Sequence, residues 1–274
     1  MIGRVLIIAG SDSGGGAGIQ ADIKSVTALG AYAMTAVTAI TVQNTKGVEA
    51  VFPVPPDIVR QQIGAVLSDL GADAIKIGMI GSVATAKAIL EGLEVAGAQD
   101  IPLILDPVLV ATSGSRLGDD EVAQMIVEQF AAWTDILTPN RHELAVLTGR
   151  AVATPAEAAA AAGALLSRGF GAVLAKGGHF DGPRIVDQLI IGEGGLSRRF
   201  ETPRFDSRHT HGTGCSLASA LAARIAQGAT WTDAVADAIA YVQAAIETAP
   251  GYGGGHGPLN HALRRGADGG FEPY

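Results

Sequence analysis

The chain has 274 residues, a formal net charge of −8 at pH 7 and 48% hydrophobic residues. This composition supplies a buried core and excludes an intrinsically disordered chain. Because the chain is acidic and lacks basic runs, binding to nucleic acid or to an anionic membrane surface is not expected. The single cysteine excludes an intrachain disulfide and a cysteine-based zinc cluster. The N-terminus shows no secretory pattern and no apolar run reaches about 20 residues, so we expect a cytoplasmic protein.

Short β-branched runs alternate with longer helical patterns along the chain. This alternation predicts βαβ units, and therefore a three-layer α/β fold with a mostly parallel central sheet and helices on both faces. The predicted strands are residues 5–9, 35–42, 74–77, 103–105, 135–137, 172–175 and 186–191, and the predicted helices are residues 16–29, 56–70, 83–96, 119–132, 141–148, 155–168, 214–227 and 231–247.

No Pro/Ser-rich linker interrupts this alternation, so we predict a single domain over residues 1–265. The C-terminal residues 266–274 are glycine-rich and polar, and we expect them to form a flexible tail. Parallel α/β sheets place ligands at the carboxyl ends of their strands. Glycine-rich or polar loops follow several predicted strands, which is the layout of an enzyme with a small-molecule site.

The loop GSDSGGGAGIQAD, residues 10–22, follows the first predicted strand. A glycine-rich loop entering a helix can receive an anion or admit a ligand close to the backbone. The spacing departs from a dinucleotide-binding fingerprint, because Ile19 stands at the third glycine position, and the loop lacks the Gly-Lys-Ser/Thr of a P-loop. A simple flexible turn is the alternative, with Asp22 as a solvated helix charge.

The segment GTGCSLASALA, residues 212–222, is the most informative. Gly212 and Gly214 allow backbone N–H groups to converge at a helix N-terminus, where the free donors and the helix dipole favour a negative group. The same field predicts a lowered pKa for Cys215. A small buried thiol beneath a tight turn is an equally good interpretation from the residues alone.

Two further loops carry candidate polar groups. Asn140 and Glu143 lie three residues apart at a helix start, which fits an N-cap with a capping-box glutamate or a site that holds magnesium through water. Lys176 ends a strand before two glycines, so it either contacts a phosphate or is an ordinary strand-end charge.

Taken together, the motifs AGSDSGGGAGIQADIKS, TAITVQNT, KIGMIGS, ILDPVLVATSG, LTPNRHE, AKGGH, HGTGCSLASA and GHGPLNH resemble the hydroxymethylpyrimidine/phosphomethylpyrimidine kinases of thiamine biosynthesis, in the ribokinase superfamily. The resemblance covers roughly residues 3–263. It implies transfer of the γ-phosphate of ATP to 4-amino-5-hydroxymethyl-2-methylpyrimidine and then to its monophosphate. It also implies magnesium, a monovalent cation and a homodimer.

The resemblance also assigns residues one motif at a time. Cys215 stands where most of the superfamily has the aspartate that takes the hydroxyl proton, and it agrees with the pyrimidine kinases, which have cysteine there. The implied anion hole is Gly212, Thr213, Gly214 and Cys215; the implied substrate contacts are Gly10, Asp22, Gln43 and Met79; the implied nucleotide contacts are Asp106, Lys176 and Thr213; and the implied magnesium region includes Asn140 and Glu143.

Two alternatives stay open at this point. A pyridoxal kinase can be built on the same scaffold, because pyridoxal also carries a hydroxymethyl group on a six-membered heteroaromatic ring. A non-catalytic ligand-binding protein with a kinase fold is the other alternative, and the complete set of anion-hole, magnesium and nucleotide candidates argues against it.

Overall fold

The structure, a computed structural model, describes residues 2–109, 120–192, 196–266 and 269–274. The end of the motif ILDPVLVATSG and the first residue of the predicted helix 119–132 lie outside these ranges. In chain order the elements are β1 (Arg4–Asp12), α1 (Gly18–Ala28), β2 (Tyr32–Asn44), β3 (Gly47–Pro53), α2 (Pro56–Asp69), β4 (Ala74–Ile77), α3 (Val83–Val95), β5 (Leu103–Leu105), α4 (Asp120–Met125), β6 (Ile136–Leu137), α5 (Arg141–Thr148), α6 (Pro155–Leu166), β7 (Ala172–Ala175), β8 (Arg184–Ile191), β9 (Leu196–Pro203), α7 (Thr213–Ala226), α8 (Trp231–Glu247), β10 (Leu263–Arg265) and β11 (Phe271–Pro273).

The central sheet has the strand order β3-β2-β1-β4-β5-β6-β7-β8-β9. Every neighbouring pair from β2 to β7 is parallel, and β3, β8 and β9 join as antiparallel strands at the two edges. The predicted fold class is therefore confirmed. Because the carboxyl ends of the parallel strands meet at one edge, the loops that follow them gather there.

Both faces of the sheet are covered, and each has its own hydrophobic core. Successive side chains of β1 alternate between the two cores, with Leu6 and Ile8 on one side and Val5 and Ile7 on the other. Helices α2 to α6 cover the first face, and α1, α7 and α8 cover the second. This double burial explains why the inner strands read as continuous apolar runs.

Predicted helix starts agree with the structure where capping residues are present. The capping box Thr154–Glu157 begins α6, with Pro155 in its first turn. Predicted helix 119–132 is instead divided, because α4 is followed by a π-helical turn over residues 126–130 and a 3₁₀ turn over residues 131–133. No helix within the described ranges combines the length and the hydropathy that a bilayer crossing requires.

The C-terminal residues contain a short strand that the sequence analysis did not predict. Strand β11 pairs antiparallel with β10, and the Phe271 ring lies 5.3 Å from that of Tyr241 on α8. The single domain over residues 1–265 and the flexibility of residues 266–274 stay predictions. Strands β3 and β9 were also missed; both are edge strands, and the polar sequence of β9 carries no apolar run.

Candidate active site

A cavity of about 1140 Å³ lies at the edge where the parallel strands end. The first turn of α7 forms its centre, the loops after β1 and β4 form one end, and the loops after β6 and β7 form the other. Every site residue predicted from the sequence lines this cavity except Asp22. The fold thus brings together residues more than 200 positions apart in the chain.

Gly212 at the N-cap of α7 and Gly214 in its first turn form a candidate anion hole at the centre of the cavity. Gly212 caps the helix with φ +84°, and a Cβ there would overlap the carbonyl oxygen of Gly16. Only glycine fits this close approach in the left-handed region. The amide of Ser216 donates to the carbonyl of Gly212, but the amides of Gly214 and Cys215 have no hydrogen-bond acceptor in the described part of the chain. These free donors can receive an anion.

A charged cluster faces the anion hole from β7 and the loop after β5. Lys176 Nζ lies 2.8 Å from Asp106 Oδ1 and 3.8 Å from Glu143 Oε2. A Cβ on Gly214 would lie 3.3 Å from Lys176 Nζ and 3.4 Å from Asp106 Oδ2, so the hole and the cluster are in direct contact. Burial alone lowers the pKa of Lys176, but the two carboxylates outweigh it and the net pKa is raised. The ammonium therefore stays charged beside the hole.

Asn140 and Glu143 form the capping box of α5. Asn140 Oδ1 accepts from the amides of His142 and Glu143, and Glu143 Oε2 accepts from the amide of Asn140 at 2.7 Å. Burial raises the pKa of Glu143 to about 7, against the opposing effect of Lys176. The amide oxygen of Asn140 is thus already used by the helix start.

This donor set is compatible with magnesium held mainly by water and phosphate. The carboxylates of Asp106 and Glu143 both lie close to Lys176 Nζ, and both residues line the cavity. In the described ranges, no group of three or more His, Cys, Asp or Glu side chains forms a closed metal site. Magnesium usually keeps several waters and uses one or two carboxylates plus substrate phosphates, so the residues fit that mode.

The other end of the cavity is lined by Gly10, Gln43 and Met79. A Cβ on Gly10 would lie 3.0 Å from Met79 Sδ, so these two predicted substrate contacts are neighbours. Gln43 lines the same end from β2, and its terminal amide lies beside Thr41 and His211. The alternation of a strand places Thr41 and Gln43 on the cavity side of β2.

Asp22 does not contact the cavity, and this corrects its predicted role. Its carboxylate is 0% exposed and accepts hydrogen bonds from Lys76 Nζ at 2.9 and 3.0 Å and from Ser219 Oγ at 2.7 Å. Lys76 is also 0% exposed and is the group of this pair that borders the cavity. Asp22 therefore neutralises a buried ammonium instead of contacting a substrate, and it is not a solvated charge either.

The expected thiolate at Cys215 is a second correction. Burial raises the pKa of the Cys215 thiol to about 12, and the ammonium of Lys76 opposes this only in part. The carboxylates of Asp22 and Asp106 add to the increase. Burial and the two carboxylates therefore favour the thiol form, in opposition to the lowered pKa that the helix N-terminus suggested.

Comparison with known proteins identifies the family of this chain. The family model described as phosphomethylpyrimidine kinase matches residues 12–260. The chain belongs to the phosphomethylpyrimidine kinase family. The hydroxymethylpyrimidine/phosphomethylpyrimidine kinase of Rhizobium meliloti is 44% identical over 96% of this chain and 98% of its own length. The thiamine biosynthesis bifunctional protein ThiED of Geobacter sulfurreducens is 43% identical over 95% of this chain, which spans 52% of that protein.

Solved structures place the fold among vitamin kinases. Bacillus subtilis pyridoxal kinase, solved as an ADP complex, superposes with a TM-score of 0.87 at 31% identity, covering 96% of this chain and 98% of the other. Phosphomethylpyrimidine kinase of Clostridium difficile gives a TM-score of 0.77 at 36% identity, covering 89% and 98%. The chain is a phosphotransferase with the ribokinase-like fold, as the sequence resemblance implied.

Sequence reasoning missed several residues of this kinase site. Lys76 carried a usable signal, because a lysine inside the four-residue apolar strand AIKI has to find a buried counter-charge. Asp12, Thr41 and His211 carried none, since each reads as an ordinary loop or strand residue. Their contacts join segments up to 199 residues apart and appear only in the folded chain.

An apolar compartment beyond the anion hole was also missed. Ile239, Val242 and Ile246 on α8 line it, together with Ile185 and Phe205. Gln243 is the polar exception on this part of α8; its Oε1 is buried and has no hydrogen-bond partner within the described residues. A buried amide oxygen without a partner is costly, so this compartment suits a flat apolar ligand with a polar edge.

Proposed function

We propose that this kinase transfers the γ-phosphoryl group of ATP to the hydroxymethyl group of 4-amino-5-hydroxymethyl-2-methylpyrimidine, and then phosphorylates the monophosphate to the diphosphate, in thiamine biosynthesis. One observation carries the proposal: in a chain of this family, a single cavity puts the anion hole between Gln43 at one end and the Lys176–Asp106 cluster at the other. The cavity exceeds the usual ligand-pocket range of roughly 300–1000 Å³, which suits two substrates at once.

The groups at the centre supply positioning and charge stabilisation. The free amides of Gly214 and Cys215 point where negative charge gathers on the transferred phosphoryl group, and Thr213 begins the same turn. Lys176 neutralises phosphate charge from the opposite side. The substrate hydroxyl oxygen bonds to phosphorus as the bond to the leaving ADP oxygen breaks, and the hydroxyl proton passes to water late in the step, because a loose transition state needs little early proton removal. A neutral Cys215 therefore serves to orient the hydroxyl.

The nucleotide occupies the remaining end in this proposal. The adenine lies in the apolar compartment of α8, where its amino edge supplies a partner to the unpaired amide of Gln243. Asp106 and Glu143 would hold magnesium, and the bound ion would neutralise phosphate charge. A monovalent cation is expected on the family resemblance alone.

The test incubates the purified protein with ATP and magnesium and follows products by mass. Separate reactions contain the hydroxymethylpyrimidine, its monophosphate and pyridoxal. Formation of the diphosphate from the monophosphate is the expected result. Turnover of pyridoxal without any diphosphate would transfer the assignment to a vitamin B6 kinase, the alternative that the pyridoxal kinase neighbours keep open. No turnover of any acceptor would indicate a binding protein.

We also propose that the protein forms a homodimer. Ile40, Val42 and Phe52 form an exposed apolar stripe on the outer face of β2 and β3, opposite the cavity side of these strands. Such a stripe near a sheet edge favours contact with a second copy. Light scattering of the wild type and of Phe52→Glu tests it: a dimer that becomes a monomer is expected, and a wild-type monomer would exclude it.

A further inference from the structure

One ring nitrogen of His211 lies between two polar side chains at the Gln43 end of the cavity. His211 Nε2 is 3.0 Å from Asp12 Oδ2 and 3.2 Å from Gln43 Nε2. His211 and Asp12 are buried, and both border the cavity. Phosphoryl transfer as described above uses neither residue, so their arrangement calls for a separate explanation.

The surroundings of Asp12 show which atom of the His211–Asp12 contact carries the hydrogen. Its Oδ1 accepts from the amide of Gly14 at 2.8 Å, and its Oδ2 accepts from the amides of Gly16 and Ala17 at 3.1 and 2.8 Å. Burial alone raises the pKa of Asp12, but the hydrogen bonds from His211 and these amides outweigh it, so the net pKa is lowered. An ionised Asp12 only accepts, and therefore His211 Nε2 carries a hydrogen.

A protonated Nε2 cannot face the NH2 group of Gln43, because both are donors. Rotating the terminal amide of Gln43 by 180° preserves its shape and brings Oε1 to His211, where Oε1 and Asp12 Oδ2 share the single Nε2 hydrogen in a bifurcated bond. The rotation also improves the partners of Thr41. Thr41 Oγ1 lies 2.9 Å from the carbonyl of Ser11 and 3.1 Å from Gln43 Oε1, so before the rotation this hydroxyl faces two acceptors and no donor. After rotation, Gln43 donates to Thr41 and Thr41 donates to Ser11.

We propose that Asp12 and His211 are positioning residues that fix the carboxamide of Gln43, with its oxygen toward His211 and its NH2 group toward Thr41, and thereby select a 4-aminopyrimidine. The proposal deepens the function proposed above and rests on it. The fixed carboxamide keeps one N–H and one oxygen lone pair for the ligand, in a set order. The aminopyrimidine edge offers an amino donor beside a ring-nitrogen acceptor, which matches one order only. Pyridoxal has an aldehyde oxygen in place of the amino group and does not match it.

The experiment compares two substrates that differ only in the amino group. Their kcat/KM values are measured for the aminopyrimidine and for 5-hydroxymethyl-2-methylpyrimidine, which lacks it. The wild type is expected to prefer the amino compound by about 10- to 100-fold, the range for one or two buried hydrogen bonds. His211→Phe keeps the ring volume but removes the donor, and it should lower the preference about tenfold. Gln43→Leu should lower it as far, and the double variant should lower it no further.

Asp12→Asn provides a second variant that keeps the side-chain shape and should also weaken the preference. His256→Phe is the matched control, because His256 is exposed and lies outside the cavity. A merely structural role for His211 would reduce kcat/KM for both substrates equally, so an unchanged ratio in His211→Phe and Asp12→Asn overturns the positioning proposal alone. A wild type that phosphorylates neither pyrimidine overturns the proposed function, and this proposal with it.

Discussion

Two lysine–aspartate pairs flank the anion hole, and they differ in access to the cavity. Lys76 and Asp22 are both 0% exposed, and Ser219 completes the hydrogen bonds of the carboxylate. The side chain of Lys176 is 13% exposed, and this ammonium pairs with Asp106 while Glu143 lies 3.8 Å away. The two N–O distances are nearly equal, at 2.9 and 2.8 Å.

The two lysine–aspartate pairs therefore have different roles despite their similar N–O distances. The Lys76 pair is closed, so it supplies a fixed field and holds α1, β4 and α7 together. The Lys176 pair is open, so a phosphate oxygen can take the place of part of its carboxylate contact. A fully buried ion pair contributes to the stability of the fold, and removing one partner is costly. A partly exposed pair can exchange one partner for a ligand.

The largest expected effect is on the stability of the closed pair. Lys76→Met leaves the Asp22 carboxylate buried without its counter-charge, and the free energy of unfolding should fall by about 3–5 kcal/mol. Urea denaturation followed by circular dichroism measures it. The matched control is Arg4→Met, which breaks the half-exposed pair with Asp73 and should cost much less than Lys76→Met, because solvent screens this pair. Similar losses in the two variants would contradict the distinction, and the double variant Lys76→Met/Asp22→Leu should recover most of the loss.

The open pair should affect catalysis more than stability. Lys176→Met removes the cation that the proposed function places beside the transferred phosphoryl group, and kcat/KM should fall by about 10²–10³-fold, as for the loss of one charge-stabilising donor. Its unfolding free energy should fall less than that of Lys76→Met, because Lys176 is partly exposed and Asp106 keeps the hydrogen bond from Thr138 Oγ1. Steady-state kinetics and urea denaturation test both parts, with Lys87→Met on the exposed surface of α3 as the control. Full activity in Lys176→Met would remove Lys176 from the site.

Cys215 lies near the charged groups of both lysine–aspartate pairs. A Cys215 variant therefore tests whether these charges produce a thiolate. Because its pKa is raised to about 12, Cys215→Ala should lower kcat only about tenfold, the loss of an orienting group. A general base would cost about 10²–10⁴-fold. Steady-state kinetics of Cys215→Ala and Cys215→Ser distinguish these ranges.

The reactivity of the thiol provides the control on its ionisation. It is the only cysteine of the chain, so alkylation by iodoacetamide reports on it directly. The rate should be low at pH 8 and rise with each pH unit above that. Rapid alkylation at pH 7 would show a thiolate and overturn the raised pKa.

A neutral group beside the hole should give the smallest effect. His261 Nε2 lies 2.9 Å from Ser216 Oγ in the first turn of α7, and burial lowers the pKa of His261 to about 4. The unfolded chain takes up this proton near pH 6.5, so the folded state loses stability as the pH falls from 6.5 toward 4. Between pH 6.5 and 5.5, His261→Gln should reduce the loss in unfolding free energy by about 1 kcal/mol. His256→Gln, at an exposed position, should leave it unchanged.

Local chemistry explains why much of the fold was predictable. Strands β4, β5 and β7 and helices α5 and α8 have the predicted limits, because continuous apolar runs and capping residues specify them within a few positions. The division after α4 and the edge strands β3 and β9 depend on neighbours that local patterns do not reveal. Phe271 likewise packs against Tyr241 and pairs through β11 with β10, and local patterns do not reveal these contacts.

The candidate site divides in the same way. The sequence by itself predicted free backbone amides at the start of α7, since Gly212 permits the left-handed backbone there, and it determined the family through motifs in a fixed order. Only the tertiary structure decided that Asp22 turns away from the cavity to Lys76, that burial raises the pKa of Cys215, and that His211 meets Asp12 and Gln43. Burial and long-range pairing set these properties, because desolvation and hydrogen bonding depend on which distant segments surround a group.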